Sequence, residues 1–399
     1  MSGIRLSRRV EELCPSSTVA VGKAAKSLAA SGVDVVDFGL GEPDFPTPGF
    51  VARAGISAIE NGHTKYTDTA GAPALREAIA EKYRREQGSD CRAENVLVTA
   101  GAKQAVFNAC QALFDPDDEV AVFSPYWVSF PEMVRLAGAR PVFVETGLED
   151  GWRPAAALLE KQAGPAVRGV ILNSPNNPTG AVVSREELER ILDWCARRGA
   201  VVIFDETYDR FLYDGRQHVS AAAFWDRYRE QIVVTGAASK TYAMTGWRLG
   251  WAVAPRELIA AMASYQSHST SNASSISQEA GILALADLER SDASVAGMLA
   301  QYAERRAVML EALAGIPGVE TAPPEGAFYT FPRVSALYGR LGVSGSEELC
   351  RRLLAEAHVA AVPGEAFGED GCIRLSFATS LERIHEGMRR LVEWVGKKK

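Results

Sequence analysis

The chain predicts an α/β protein, with a mostly parallel, mixed sheet sandwiched by helices and a smaller α+β domain attached. Three observations predict it. From about Asn95 onward, short strands rich in Val and Ile alternate with helical segments. Strands this apolar are buried on both faces, and interleaved helices are what connect parallel strands. After about Ala293 the pattern changes to one long helical stretch followed by short strands. The two patterns place a large domain at 48–292 and a small one at 1–47 and 293–399. The Pro- and Gly-rich stretch from Gly39 to Pro48 is read as the crossing between them.

The elements follow in order. Val96-Leu97-Val98-Thr99 reads as a strand, followed by Gly101 and a helix with Ala105, Val106, Ala109, Cys110 and Leu113 on one face. Strands are read at Glu119–Phe123, Pro141–Val144, Gly169–Leu172, Ala200–Phe204, Ile232–Val234 and Leu249–Val253, with a helix over Ser184–Arg198. Beyond them come a helix over Val295–Leu313 and strands near Ala327-Phe328-Tyr329 and Cys372–Phe377. There is no internal repeat.

Composition narrows the function. The chain has 399 residues, 47% hydrophobic and 23% charged, an ordinary globular balance. With 43 Lys+Arg against 50 Asp+Glu the formal charge is −7, and no long basic run favours nucleic acid or a membrane surface. The terminal Lys397-Lys398-Lys399 reads as a solvated helix end. Met1 to Glu12 is polar, without the apolar core of a secretory signal, and no apolar run approaches a membrane span. The six cysteines (Cys14, Cys91, Cys110, Cys195, Cys350, Cys372) form no Cys-x-x-Cys pair and read as reduced thiols, several of them buried. The five histidines are isolated, so no metal is expected. The expectation is a cytoplasmic protein.

Three strings, each directly after a strand, carry chemistry. The first runs from Ser239 and Lys240 to Trp247-Arg248-Leu249-Gly250. A lysine on a loop at a strand end reaches the crevice where open α/β sheets bind ligands. Once desolvated there, it is a competent amine for Schiff-base chemistry. Most lysines are simply solvated, so its neighbours matter. Arg248 alternates with Trp247 and Leu249, which puts its guanidinium on the opposite sheet face from two large apolar groups, and a planar guanidinium suits a phosphate. The second string, Asn173-Ser174-Pro175-Asn176-Asn177-Pro178-Thr179-Gly180, would otherwise be a plain turn. The third is Asp205-Glu206-Thr207-Tyr208, where Asp205 could merely cap a helix. Together they describe one polar cluster at one sheet edge. A fourth element, Gly101-Ala102-Lys103, opens a helix whose free N–H groups suit an anion. A lysine in that first turn opposes the helix dipole, which a bound anion would offset.

These strings resemble those of class I, fold-type-I aminotransferases that depend on pyridoxal phosphate, in the bacterial aspartate/prephenate aminotransferase branch. The resemblance runs from Leu6-Ser7-Arg8-Arg9-Val10 to Ile373-Arg374-Leu375-Ser376. It also includes Gly41-Glu42-Pro43-Asp44-Phe45, Lys65-Tyr66 and Ser124-Pro125-Tyr126-Trp127. It implies that Lys240 holds pyridoxal 5′-phosphate as a Schiff base and shuttles the proton between the substrate α-carbon and the cofactor C4′. By the same resemblance Asp205 pairs with the pyridine nitrogen and keeps it protonated. Tyr208 and Asn177 bond the ring 3′-oxygen, and Trp127 stacks on the ring. Arg248, Ser239 and the Gly101-Ala102-Lys103 amides hold the phosphate, with Tyr66 reaching in from a partner subunit of a homodimer. Arg374 takes the substrate α-carboxylate, helped by Asn177, Trp127 and the Gly41 backbone. Arg374 has some independent support, because it alternates with Ile373 and Leu375 and so faces away from the apolar side of its strand.

Two positions depart from the family pattern. Ala237 stands three before Lys240, where a small hydroxyl residue or glycine is common, and Thr207 stands where an aliphatic residue is common. The implied reaction is a ping-pong transamination between an amino acid and a 2-oxo acid. Lys103 resembles the residue that pairs with the distal carboxylate of dicarboxylic substrates, and Ser16 to Thr18 a segment that closes over them. Aspartate and glutamate are therefore expected, with prephenate as an alternative. A lyase, decarboxylase or cyclase would share the same first steps. A cofactor-binding regulator is disfavoured, because the segment ahead of Gly39 is short and no basic stripe is present.

Overall fold

The computed structural model describes residues 4–397 except Glu12 and 14–16. Cys14, Ser16, Lys398 and Lys399, all discussed above, lie outside the described residues. Among the described residues twelve strands run in chain order: β1 Val36–Asp37, β2 Val96–Thr99, β3 Glu119–Ser124, β4 Arg140–Glu145, β5 Val167–Asn173, β6 Val201–Asp205, β7 Ile232–Ala237, β8 Gly250–Val253, β9 Tyr329–Thr330, β10 Val359–Ala360, β11 Val362–Pro363 and β12 Ile373–Ser376.

Seven of them form one sheet in the order β2-β8-β7-β6-β5-β3-β4. Only β8 runs against the rest, antiparallel to both β2 and β7. The strands alternate as a doubly covered sheet requires. Val170, Leu172, Val202, Phe204, Ile232 and Val234 enter one core. Ile171, Ile203 and Val233, between them in sequence, enter the other. The first core meets the helices Pro73–Gln87 and Arg185–Arg198 through Leu75, Ile79, Tyr83, Leu188, Ile191 and Leu192. The second meets the helix Ala102–Leu113, whose Ala105, Val106, Ala109 and Cys110 are all fully buried.

The chain after the sheet contains the helix Leu288–Ala314, longer than predicted at both ends, and the small sheets β11-β12-β9 and β1-β10. Val36 pairs with Val359 and Asp37 with Ala360, so a strand near the N-terminus is completed by one near the C-terminus. The five described cysteines are free and buried. Among the described residues no helix is long and apolar enough to cross a membrane, and no group of three or more His, Cys, Asp or Glu is placed to hold a metal ion.

Parallel strands end together, so their C-terminal loops share one edge. Asn173 and Asp205, the last residues of β5 and β6, are register partners. The turn carrying Lys240 begins directly after β7.

Candidate active site

Around that edge lies a cavity of about 390 Å³. Every predicted site residue lines it except Gly101, which stands just behind Ala102, and Tyr66.

Lys240 lies not on a loop but in a one-turn helix, Ala238–Thr241, immediately after β7. That turn begins at the strand end because Ala238 N–H is still held by Leu249 O, 3.1 Å away. Lys240 Nζ donates to Gly41 O at 2.6 Å. Burial, the largest effect, lowers its pKa to about 8, with the cations of Arg248 and Arg374 pushing the same way and Glu42 and Asp205 opposing. An amine so placed is deprotonated in appreciable fraction near neutrality and can act as a nucleophile.

Asp205 is buried, and burial raises its carboxyl to about 6. Thr207 counters this with two bonds to Oδ1, from its hydroxyl at 2.7 Å and its N–H at 3.0 Å. The family departure at 207 thus places a donor on the acid. Tyr208 OH meets Tyr329 OH at 2.8 Å, and both phenols are buried and shifted upward, chiefly by burial. Asn177 is fixed from both ends. Its N–H donates to Asn173 Oδ1 at 2.8 Å, and its Oδ1 accepts from Arg374 Nη1 at 3.0 Å.

Arg374 is not the exposed strand arginine that alternation alone suggests. It is 2% exposed, its guanidinium enclosed by Gly39, Asn177, Tyr329 and Phe367. Its Nη2 donates to Gly39 O at 2.8 Å, and its guanidinium lies 4.5 Å from the Tyr329 ring centre and 5.2 Å from that of Phe367. Its Nε is buried without a partner. Gly41, expected to help Arg374 hold the substrate, lines the same cavity and gives its carbonyl to Lys240.

The strand argument for Arg248 fails. The residue precedes β8 and has a left-handed backbone, φ 54, so sheet alternation does not apply. Its guanidinium nevertheless lines the cavity, donating to Thr245 O at 2.8 Å and Ala100 O at 3.3 Å. Gly101 has φ 84, and a Cβ there would come within 2.7 Å of Arg248 Nη2. Glycine at 101 therefore lets the guanidinium sit against the start of the helix Ala102–Leu113. Gly250 does the same from the strand side, where a Cβ would lie 2.5 Å from Ala102 N. In the first turn of that helix Gln104 N–H donates to Gly101 O at 3.1 Å, whereas the N–H groups of Ala102 and Lys103 have no intrahelical acceptor. Lys103 Nζ stands 4.8 Å from the Trp127 ring centre, and burial, then the Arg248 charge, lowers its pKa. Ser239 and Ala237 line the cavity beside Lys240.

Tyr66 lies outside this cluster and is 91% exposed. Residues the sequence reading missed include Tyr329, which contacts both Tyr208 and Arg374. Its only trace was membership in a predicted strand. Val19, Gly22 and Lys26 of the helix Ser17–Ala30 also line the cavity, beside Thr18 of the predicted closing segment. Nothing in the spacing of that helix signals a site.

A half-buried amine, a buried acid on the neighbouring strand, a guanidinium against a helix start and a second, buried guanidinium define an enzyme that processes a small anionic substrate at the ends of a parallel sheet. The chain belongs to the aminotransferase class I and II family, whose model matches residues 33–391. It is 40% identical to the aspartate aminotransferase of Geobacillus stearothermophilus over 97% of this chain and 98% of that one. It is 43% identical to the probable aspartate/prephenate aminotransferase of Aquifex aeolicus, covering 97% of each. The solved aspartate aminotransferase of Thermus thermophilus with maleate superposes with a TM-score of 0.93 at 43% identity, over 98% of this chain and 99% of that chain. The fold is the fold-type-I one, and the protein is an aminotransferase that moves an amino group between an amino acid and a 2-oxo acid.

Proposed function

We propose that the protein is a pyridoxal-phosphate-dependent aminotransferase for dicarboxylic amino acids, aspartate and glutamate, with their 2-oxo acids. The observation that carries this reading is the pairing of Lys240, lowered to about 8, with Asp205 and Arg248 around one cavity. Pyridoxal phosphate, when bound, supplies an aldehyde for an amine and a ring that stores the electrons released at the substrate α-carbon.

The residues fit that group. The Gly101 cradle, the free N–H groups that follow it and Arg248 suit the phosphate. Ser239 lines the same side. Asp205, held by Thr207, would pair with the pyridine nitrogen, a cationic partner that offsets the cost of burying a carboxylate. Trp127 would cover the ring face, and Tyr208 and the Asn177 amide would bond its hydroxyl oxygen. Arg374 would hold the substrate α-carboxylate, the partner its orphan Nε lacks. Lys240 Nζ would take the proton from the substrate α-carbon. Lys103 would meet the distal carboxylate.

The relatives' names support the substrate class, since they specify aspartate, aspartate/prephenate and a complex with maleate, itself a dicarboxylate. We also propose a homodimer. Tyr66, 91% exposed, would reach the partner's phosphate site, and the unit at 1–47 and 293–399 would close over the substrate. The cytoplasm is the compartment this reading favours. Single-turnover absorption of the cofactor-loaded enzyme against a panel of amino donors tests the proposal. Rapid conversion by aspartate and glutamate, with slow conversion by alanine and leucine, is expected. Equal rates across the panel would overturn the substrate class, and no spectral change with any donor would overturn the cofactor.

A further inference from the structure

Beneath the site lies a charged network that the reaction does not touch. Asp209 is buried and accepts from two sides. Thr241 Oγ1 donates to its Oδ1 at 2.9 Å, and Lys82 Nζ donates to its Oδ2 at 2.8 Å. Lys82, also buried, donates to Glu86 at 2.7 Å as well. Asp209 lies with Tyr208 in the turn that follows Asp205 at the end of β6, its N–H held by Glu206 O at 2.9 Å. Thr241 is the residue after Lys240 in the one-turn helix. A single carboxylate therefore ties the turn bearing the acid to the turn bearing the amine, across adjacent parallel strands.

From this geometry we infer that Asp209, with Lys82 as its counterion, is a positioning residue that fixes Lys240 relative to Asp205 through Thr241. The inference rests on the proposed role of Lys240. An isolated carboxylate this deep would be costly, and Lys82 offsets that cost by charge. The titratable groups facing Asp209 are Lys82, His218, Arg210, Tyr83 and Tyr242; Lys82 in turn feels Glu86 and Glu206, whose Oε2 meets His218 at 3.0 Å. Lys240 for its part feels Glu42, Arg248, Arg374 and Asp205. If its turn shifts, its distances to those charges change and so does its basicity.

The test uses Thr241→Val, of nearly equal volume, and Thr241→Ser, which restores the hydroxyl. In the full-length, cofactor-free protein, cyanate carbamylation of Lys240 is followed by peptide mass spectrometry across pH. Thr241→Val is expected to move the midpoint by roughly half a pH unit or more, with Thr241→Ser returning to the wild-type value. A merely structural role would lower the melting temperature of Thr241→Val and leave the midpoint in place, and that result overturns the inference. Because this readout needs no cofactor, it separates from failure of the parent reading, which would show as no borohydride-trapped pyridoxal phosphate on Lys240 in wild type. Should Thr241→Val not fold, Lys82→Arg against Lys82→Met gives the same comparison from the other side of Asp209. An unmoved midpoint in folded Lys82→Met is equally fatal.

Discussion

Arg374 donates from Nη1 to Oδ1 of Asn177 at 3.0 Å. A guanidinium has only donors, so this contact decides which end of the amide faces it and leaves Nδ2 to donate elsewhere. Two anion-facing groups are thereby set by one bond. Arg374→Lys keeps the charge but loses the planar fork and the orientation of Asn177. Donor KM is expected to rise roughly 10- to 100-fold, with a smaller loss in kcat. Half-reaction kinetics with aspartate check this, and an unchanged KM would remove Arg374 from the carboxylate site.

Asp205 carries a pH signature of its own. Burial raises its carboxyl to about 6 from an ordinary 3.8. Well below both values the folded and unfolded states each hold the proton, and the group is neutral to stability. Between them the unfolded chain ionises first, so stability falls as pH rises and stays lower above about 6. The cofactor-free protein is expected to lose on the order of 2–3 kcal/mol between about pH 4 and 7 from this group. Asp205→Asn should remove that slope. Urea midpoints of both proteins at the two ends of the window decide it, and parallel curves would contradict the burial argument.

Much of this site was legible because its residues sit where strands end, and strand ends are marked by apolar runs stopping at polar strings. Lys240, Asp205 and Asn177 all follow that rule. Arg248 reached its place for a different reason, since a left-handed backbone, not sheet alternation, aims it. Tyr329 and Lys26 were illegible because their role comes from tertiary approach. Tyr329 arrives from a small sheet more than a hundred residues after Tyr208, and Lys26 lies on an exposed helix whose period carries no trace of a cavity. Asp209 was hidden in the same way, as its partners Lys82 and Thr241 lie on separate elements.

Gly101→Ala tests the phosphate cradle. The substitution forces a side chain onto a φ of 84 and drives Cβ to 2.7 Å from Arg248 Nη2. The guanidinium is the movable partner, so strain should appear as its displacement more than as unfolding. Cofactor affinity is expected to fall roughly 10- to 100-fold, equivalent to about 1.4–2.8 kcal/mol. Absorbance titration of the cofactor-free variant with pyridoxal phosphate measures it. Pyridoxal without the phosphate should bind both proteins alike, and an equal loss for both ligands would place the damage elsewhere.

Lys103 decides substrate choice in this reading. Its ammonium stands over the Trp127 ring at 4.8 Å, and its pKa is lowered by burial and then by Arg248. The site therefore holds a cation, still open to solvent, set near a like charge, and an anionic group on the substrate would relieve that repulsion. Such relief is available only to a donor with a distal carboxylate. Lys103→Ala is thus expected to lower kcat/KM for aspartate roughly 30-fold while leaving alanine within about twofold, because the missing contact is one alanine never makes. Lys103→Arg should restore part of the aspartate rate by returning the charge with altered geometry. Steady-state kinetics with both donors measure the ratio. A uniform fall for aspartate and alanine would mean that Lys103 serves the phosphate instead, since a cofactor contact is shared by every substrate.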